Sequence, residues 1–189
     1  MTTVNLPIFP LPVFLLPQGL TRLRIFEKRY LKMVAHAMKH DGFVILAYDK
    51  AENVSDMPTG SWVEIVNFDQ GDDGLLLIDV RCKCLVDINA MTQDQDKLHH
   101  GDVSVKAHWS DSGIDETADP LAQSLSKVFD DNVELNALYP TPYFSQSSWV
   151  VARWLELLPV TIDEKRLFVE SGSFSAAKEF LQSIILAEQ

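Results

Sequence analysis

Two pairs of metal-ligating side chains stand close together in this sequence. Cys82 and Cys84 form C-x-C, and His36 and His40 are four residues apart. A zinc site needs two further ligands at a workable spacing, and none follows the cysteines. Residues two apart share one face of a strand at roughly 7 Å, the limit for a disulfide. Both cysteines are therefore read as small core residues on the apolar face. The run His-Ala-Met-Lys-His lacks the glutamate that follows the first histidine in H-E-x-x-H metalloproteases. These rings are read as solvated, His99 and His100 as a loop pair, and His108 as pointing out from its strand. A hydrolase needs a nucleophile beside a positioned base, and no G-x-S-x-G is present. The phosphate loop G-x-x-x-x-G-K-[ST] and the dinucleotide turn G-x-G-x-x-G are also missing. No catalytic residue, metal or cofactor is assigned from these residues.

What remains is charge. The 189 residues carry a formal net charge of −11. That disfavours nonspecific binding to nucleic acid or to an anionic membrane. The first forty residues run the other way, with Arg22, Arg24, Lys28, Arg29, Lys32 and Lys39 against Glu27 alone. This is a local basic patch, with a merely solvated helix face as the competing reading.

The elements that position these residues can be read from periodicity. LPIFPLPVFLLPQG (6–19) has no preceding Lys or Arg, and its prolines break an export helix. No window reaches the roughly 20 apolar residues of a membrane span. The stretch is read as an extended edge segment, where proline is tolerated, joined at Pro17–Gly19 to a strand over Thr21–Phe26. The chain is expected to be soluble and cytoplasmic. Tyr30, Met33, Val34, Ala37 and Met38 form one helical stripe, stopped at Asp41–Gly42. FVILAY (43–48) is a buried strand, 49–60 a polar loop, Ser61–Asp69 a strand and QGDDG (70–74) a turn. From Leu76 to Ile88 the even positions are apolar, which predicts a long strand with one buried face. Asp102–Trp109 alternates likewise, with Val103, Val105, Ala107 and Trp109 facing in.

After the loop SDSGIDETADP (110–120) the period becomes helical. A helix starts over Leu121–Phe129, YPTPYFSQSS (139–148) links, and Trp149–Leu158 forms an apolar helix ended by Pro159. Thr161 and Glu164 have capping-box spacing and open a helix to Glu170. Phe174–Leu186 is the last helix. Trp109, Trp149 and Trp154 are read as core. Strands first and helices last suggest an α+β fold whose strands close into a small barrel.

LPIFPLPVFLLPQG followed by LTRLRIFEKRYLKMVAHAMK resembles the start of the Lon protease N-terminal domain, also called the LON substrate-binding domain. Ile25, Phe26, Glu27, Arg29 and Tyr30 match that family's Ile-Phe-Glu-x-Arg-Tyr at its distance from Pro17. GSWVEI (60–65) is similar to the second half of the family's barrel, and residues 147–185 to its C-terminal helices. Val80 and Cys84 stand where the family often has Gly and Phe, and Gly19 lies one position late.

The resemblance implies a PUA-like small β-barrel with one inserted helix over residues 1–116, then a C-terminal helical subdomain over 117–189. It implies a stand-alone, non-catalytic module that recognises unfolded or partner polypeptide, without the family's ATPase and peptidase modules. A separate protease or chaperone would be its partner. Arg22, Arg24, Lys28, Arg29 and Lys32 are the candidate polypeptide-binding residues. RNA binding by a PUA-like fold and a degenerate peptidase are the alternatives.

Overall fold

The computed structural model describes residues 2–48, 59–110 and 115–187; the loop read at 49–60 lies mostly outside them. The chain divides into two compact units, Met1–Lys106 and Ala107–Gln189.

Among the described residues, the first unit is a six-stranded sheet with one helix. Its strands are β1 (Val4–Leu11), β2 (Leu20–Ile25), β3 (Phe43–Ala47), β4 (Thr59–Gln70), β5 (Leu76–Gln93) and β6 (His99–Lys106), with α1 (Lys28–Ala37) after β2. The order is β2-β5-β4-β3-β1-β6, and β5 also pairs with β6. Those pairings close a circuit through β5, β4, β3, β1 and β6. Among the described residues only β1 and β3 run parallel.

The opening stretch is not an edge. Val4–Ile8 pair with β6, and Ile8–Leu11 pair with β3. Each half of β1 is laddered on one side, so Pro7 and Pro10 sit where one side asks for no N–H. Nor does β1 form a hairpin with β2, whose partner is β5.

The sheet is apolar on both faces. One face, with Phe9, Phe43, Ile45, Val63, Ile78 and Val80, buries the α1 stripe of Tyr30, Met33, Val34 and Ala37. Burying each large side chain of this kind contributes ~1.5–3 kcal/mol. Met38, expected on that stripe, falls past the end of α1 and is 63% exposed. The other face gathers Leu6, Ile8, Val44, Leu46, Val86 and Val103. Gly101 admits Ile8 there, since a Cβ at Gly101 would overlap its Cδ1.

The even positions of β5 are apolar as the sequence predicts, but they do not share one face. The ladder to β4 shifts between Trp62 and Val63, with Trp62 opposite Cys84 and Val63 opposite Cys82. This bulge passes the apolar side of β5 from the α1 face (Ile78, Val80, Cys82) to the opposite face (Cys84, Val86, Ile88). The two cysteines therefore serve different clusters and are not joined in a disulfide; the Cys82 thiol donates to Cys84 O at 3.5 Å. Burial pushes the Cys84 thiol up.

The second unit holds a 3-10 turn (Glu116–Ala118) and helices α2 (Asp119–Asp131), α3 (Val133–Leu138), α4 (Ser147–Leu157), α5 (Ile162–Arg166) and α6 (Phe174–Ile185). α3 occupies a stretch to which no element was assigned from the sequence, and Asn132 caps it by accepting from the Leu135 N–H at 2.9 Å. The Thr161–Glu164 capping box forms as predicted, although α5 stops at Arg166. Trp149 and Trp154 are buried with Phe129 and Leu121.

Ala107–Trp109 do not continue β6, and Val105 is 60% exposed. They belong with the helices because Trp109 Nε1 donates to Ser173 Oγ at 2.9 Å and its ring meets Phe174 edge-on. His108 stacks on Trp109. The boundary read at residue 116 and the division after Lys106 differ by residues 107–116. Within the same unit, Lys178 bonds Asp115 and holds its carboxyl at about 2.

Candidate functional site

The five basic residues singled out from the sequence fall into two groups. Arg22 and Arg24 alternate with Leu23 and Ile25 along β2, so burying the apolar pair turns both arginines outward. Lys28, Arg29 and Lys32 occupy the first turns of α1.

Four of the five meet a carboxylate. Arg22 makes a two-pronged contact with Asp79, Nε to Oδ1 at 2.7 Å and Nη2 to Oδ2 at 3.0 Å. Asn67 donates to the same carboxylate at 3.1 Å. The Arg22 hydrogen bond holds Asp79 below the usual carboxylate range despite its burial. Arg24 pairs with Asp73 of the β4–β5 turn, and Lys32 with Asp96. Arg29 Nε donates to Glu27 at 2.9 Å, Nη1 donates to Lys97 O at 3.1 Å, and the guanidinium lies over the Tyr30 ring. Lys28 is exposed and makes no ion pair with any described residue.

The helix group lines an open cleft of about 530 Å³ with Glu27, Asp96 and Lys97. Its wall sets four cations against two carboxylates, so it is locally positive on an acidic chain. No sequence pattern marks Asp96 or Lys97, which reach α1 from the β5–β6 turn only once the sheet has folded.

A second cleft, of about 300 Å³, was not foreseen. Ala37 at the end of α1, with Met38, His40 and Asp41 just after it, faces Glu64, Ile65 and Phe68 of β4 and Lys83 of β5, a mixed polar and apolar lining. Phe68 is 42% exposed and Val66 44%. Lys83 Nζ lies 4.3 Å from the Trp62 ring centre, and Trp62 Nε1 donates to Asp41 O. The signal available in the sequence was a run of apolar residues, Ile65, Val66 and Phe68, that breaks strict alternation beside an acidic turn.

His36 and His40 stack with ring centres 4.2 Å apart. Burial and the two neighbouring histidines, His40 and His100, push the His36 imidazole down. His100 Nε2 lies 3.1 Å from Asp94. Among the described residues no three His, Cys, Asp or Glu side chains gather as a metal site.

The model of the ATP-dependent protease La (LON) substrate-binding domain family matches residues 5–168. The chain belongs to that family. Among solved structures, a LON N-terminal domain protein from Xanthomonas campestris is 25% identical with a TM-score of 0.74, over 96% of this chain and 98% of that one. The N-terminal domain of the Mycobacterium avium complex Lon protease is 13% identical with a TM-score of 0.63, over 95% and 97%, and shares the fold. No curated protein sequence matches.

The LON signature residues here act mainly as architecture. Ile25 and Tyr30 are buried in the α1-face cluster. Glu27 precedes α1 in extended geometry, its carbonyl accepts from Tyr30 and Leu31, and its carboxylate is clamped by Arg29. Phe26 alone of these points into solvent, at 64% exposure.

Proposed function

We propose that this chain is a non-catalytic polypeptide-recognition module, working as the substrate-binding part of a LON system. The observation that carries this reading is the family match over residues 5–168. The surfaces are consistent with it: a positive open cleft at the start of α1 suits acidic segments of an unfolded chain. Unpaired strand edges suit extended ones. We further read the closed circuit of strand pairings as a PUA-like small barrel. The setting is cytoplasmic, and a separate protease or chaperone receives what is bound.

Within this reading, Lys28 attracts the polypeptide, while Arg22, Arg24, Arg29 and Lys32 are held by their carboxylates until a stronger anion competes. The test is fluorescence anisotropy of a labelled, permanently unfolded polypeptide at low and physiological salt. Saturable binding is expected at both, weakened about three- to ten-fold by Lys28→Glu with Lys32→Glu. No binding by the wild-type protein at either salt overturns the reading.

A further inference from the structure

β4 is longer than the strand beside it. It pairs with β3 only through Ser61–Val63 but with β5 as far as Gln70. From Glu64 onward, one side of β4 has no strand partner among the described residues. The opening begins beside Gly42, the residue before β3: φ is +85° there, and a Cβ would overlap the carbonyl oxygen of Val63. Next to it lies the cleft between Met38 and Phe68.

The exposed face of this arm continues the core. Ile65 stands opposite Val80 and Phe68 opposite Ile78, and both partners are fully buried. Past the end of α1 the same face carries on uncovered, with Met38 at its rim. An added strand would hydrogen-bond to the open side of β4 and drop every second side chain onto this face. A thioether and a flat ring accommodate varied apolar side chains.

Charge specifies the occupant further. Residues 64–75 contain Glu64, Asp69, Asp72 and Asp73 and no Lys or Arg. Arg81 answers Glu64 and Arg24 answers Asp73. Asp69 and Asp72 make no ion pair with any described residue.

We infer that the open side of β4 from Glu64 to Gln70, with the Met38–Phe68 cleft, is a strand-addition site for an extended polypeptide that seats apolar side chains on Met38, Ile65 and Phe68 and is basic toward the β4–β5 turn. The inference rests on the polypeptide-recognition reading and gives it a place on the fold.

The probe is a short fluorescein-labelled peptide alternating valine and threonine, with two lysines at one end. A second version carries N-methyl groups on alternate amides and so cannot complete a ladder. Wild-type protein is expected to bind the first peptide and to lose about ten-fold in affinity for the second. Met38→Ala with Phe68→Ala is expected to cost about ten-fold as well. Both truncated side chains are already exposed, so an unchanged circular dichroism spectrum is expected. If unfolded polypeptide binds but neither N-methylation nor the Met38/Phe68 change matters, the inference is overturned and the broader reading stands. If neither peptide nor unfolded polypeptide binds, the broader reading falls and the inference with it.

Discussion

At the scale of single residues, charges legible as a binding patch turn out to be partly committed to the fold. Arg22 reads in the sequence as an outward cation on an alternating strand, and outward it is. Its partner, Asp79, stands 57 residues further on. Only the β2–β5 ladder, which sets Arg22 against Asp79, makes them a pair, and periodicity within one strand carries no cross-strand register. Asp79→Asn should destabilise the protein by about 1–2 kcal/mol in urea denaturation, because it leaves Arg22 with a weaker acceptor in a half-buried place. The pH dependence has a definite sign. The Asp79 carboxyl is held below its ordinary value in the folded protein, so its contribution is complete above the unfolded-state pKa. It is lost as pH falls through the folded one. Wild type should therefore lose more stability than Asp79→Asn on acidification below about pH 4. Parallel loss in both would show that another carboxylate governs the acid limb.

Elements were legible where one period governed them and illegible where a local irregularity reset it. The α1 stripe could be read because Tyr30, Met33, Val34 and Ala37 all pack on one sheet face. The alternation of β5 was read correctly and its meaning was not. A bulge opposite Trp62 and Val63 moves the apolar side to the other face without interrupting the pattern. The prolines of β1 suggested an edge because proline lacks a donor, yet a strand laddered on alternate sides keeps an interior place. Gly42 was legible as a helix stop, but not as the point where the backbone packs against the Val63 carbonyl of β4. Gly42→Ala adds both a left-handed alanine and a collision with the Val63 carbonyl. Each strains the turn, and the expected loss is at least about 2 kcal/mol. Thermal unfolding should show it as a clear drop in Tm, whereas an unchanged Tm would mean that the α1–β3 turn rearranges freely.

For the whole molecule, segregation of strands and helices was legible from the change of period after the loop at 110–120. The closing of the strand circuit through β5–β6 was not, because it depends on which distant strands meet. The net charge of −11 was legible and was first read as excluding partners. It also selects them, since an acidic surface steers cations. For the lysine-ended peptide, long-range attraction should act on the encounter and short-range packing on the bound state. Its association rate should fall as salt rises, because about 0.1 M salt confines unscreened attraction to roughly 10 Å. Its dissociation rate should barely move. Replacing the lysines by glutamates should slow association most at low salt. Met38→Ala with Phe68→Ala should do the reverse, speeding dissociation at every salt concentration and leaving association alone. Stopped-flow fluorescence separates the two rates. An association rate indifferent to salt would remove the acidic arm from recognition and leave the Met38–Phe68 cleft and the open strand to account for binding by themselves.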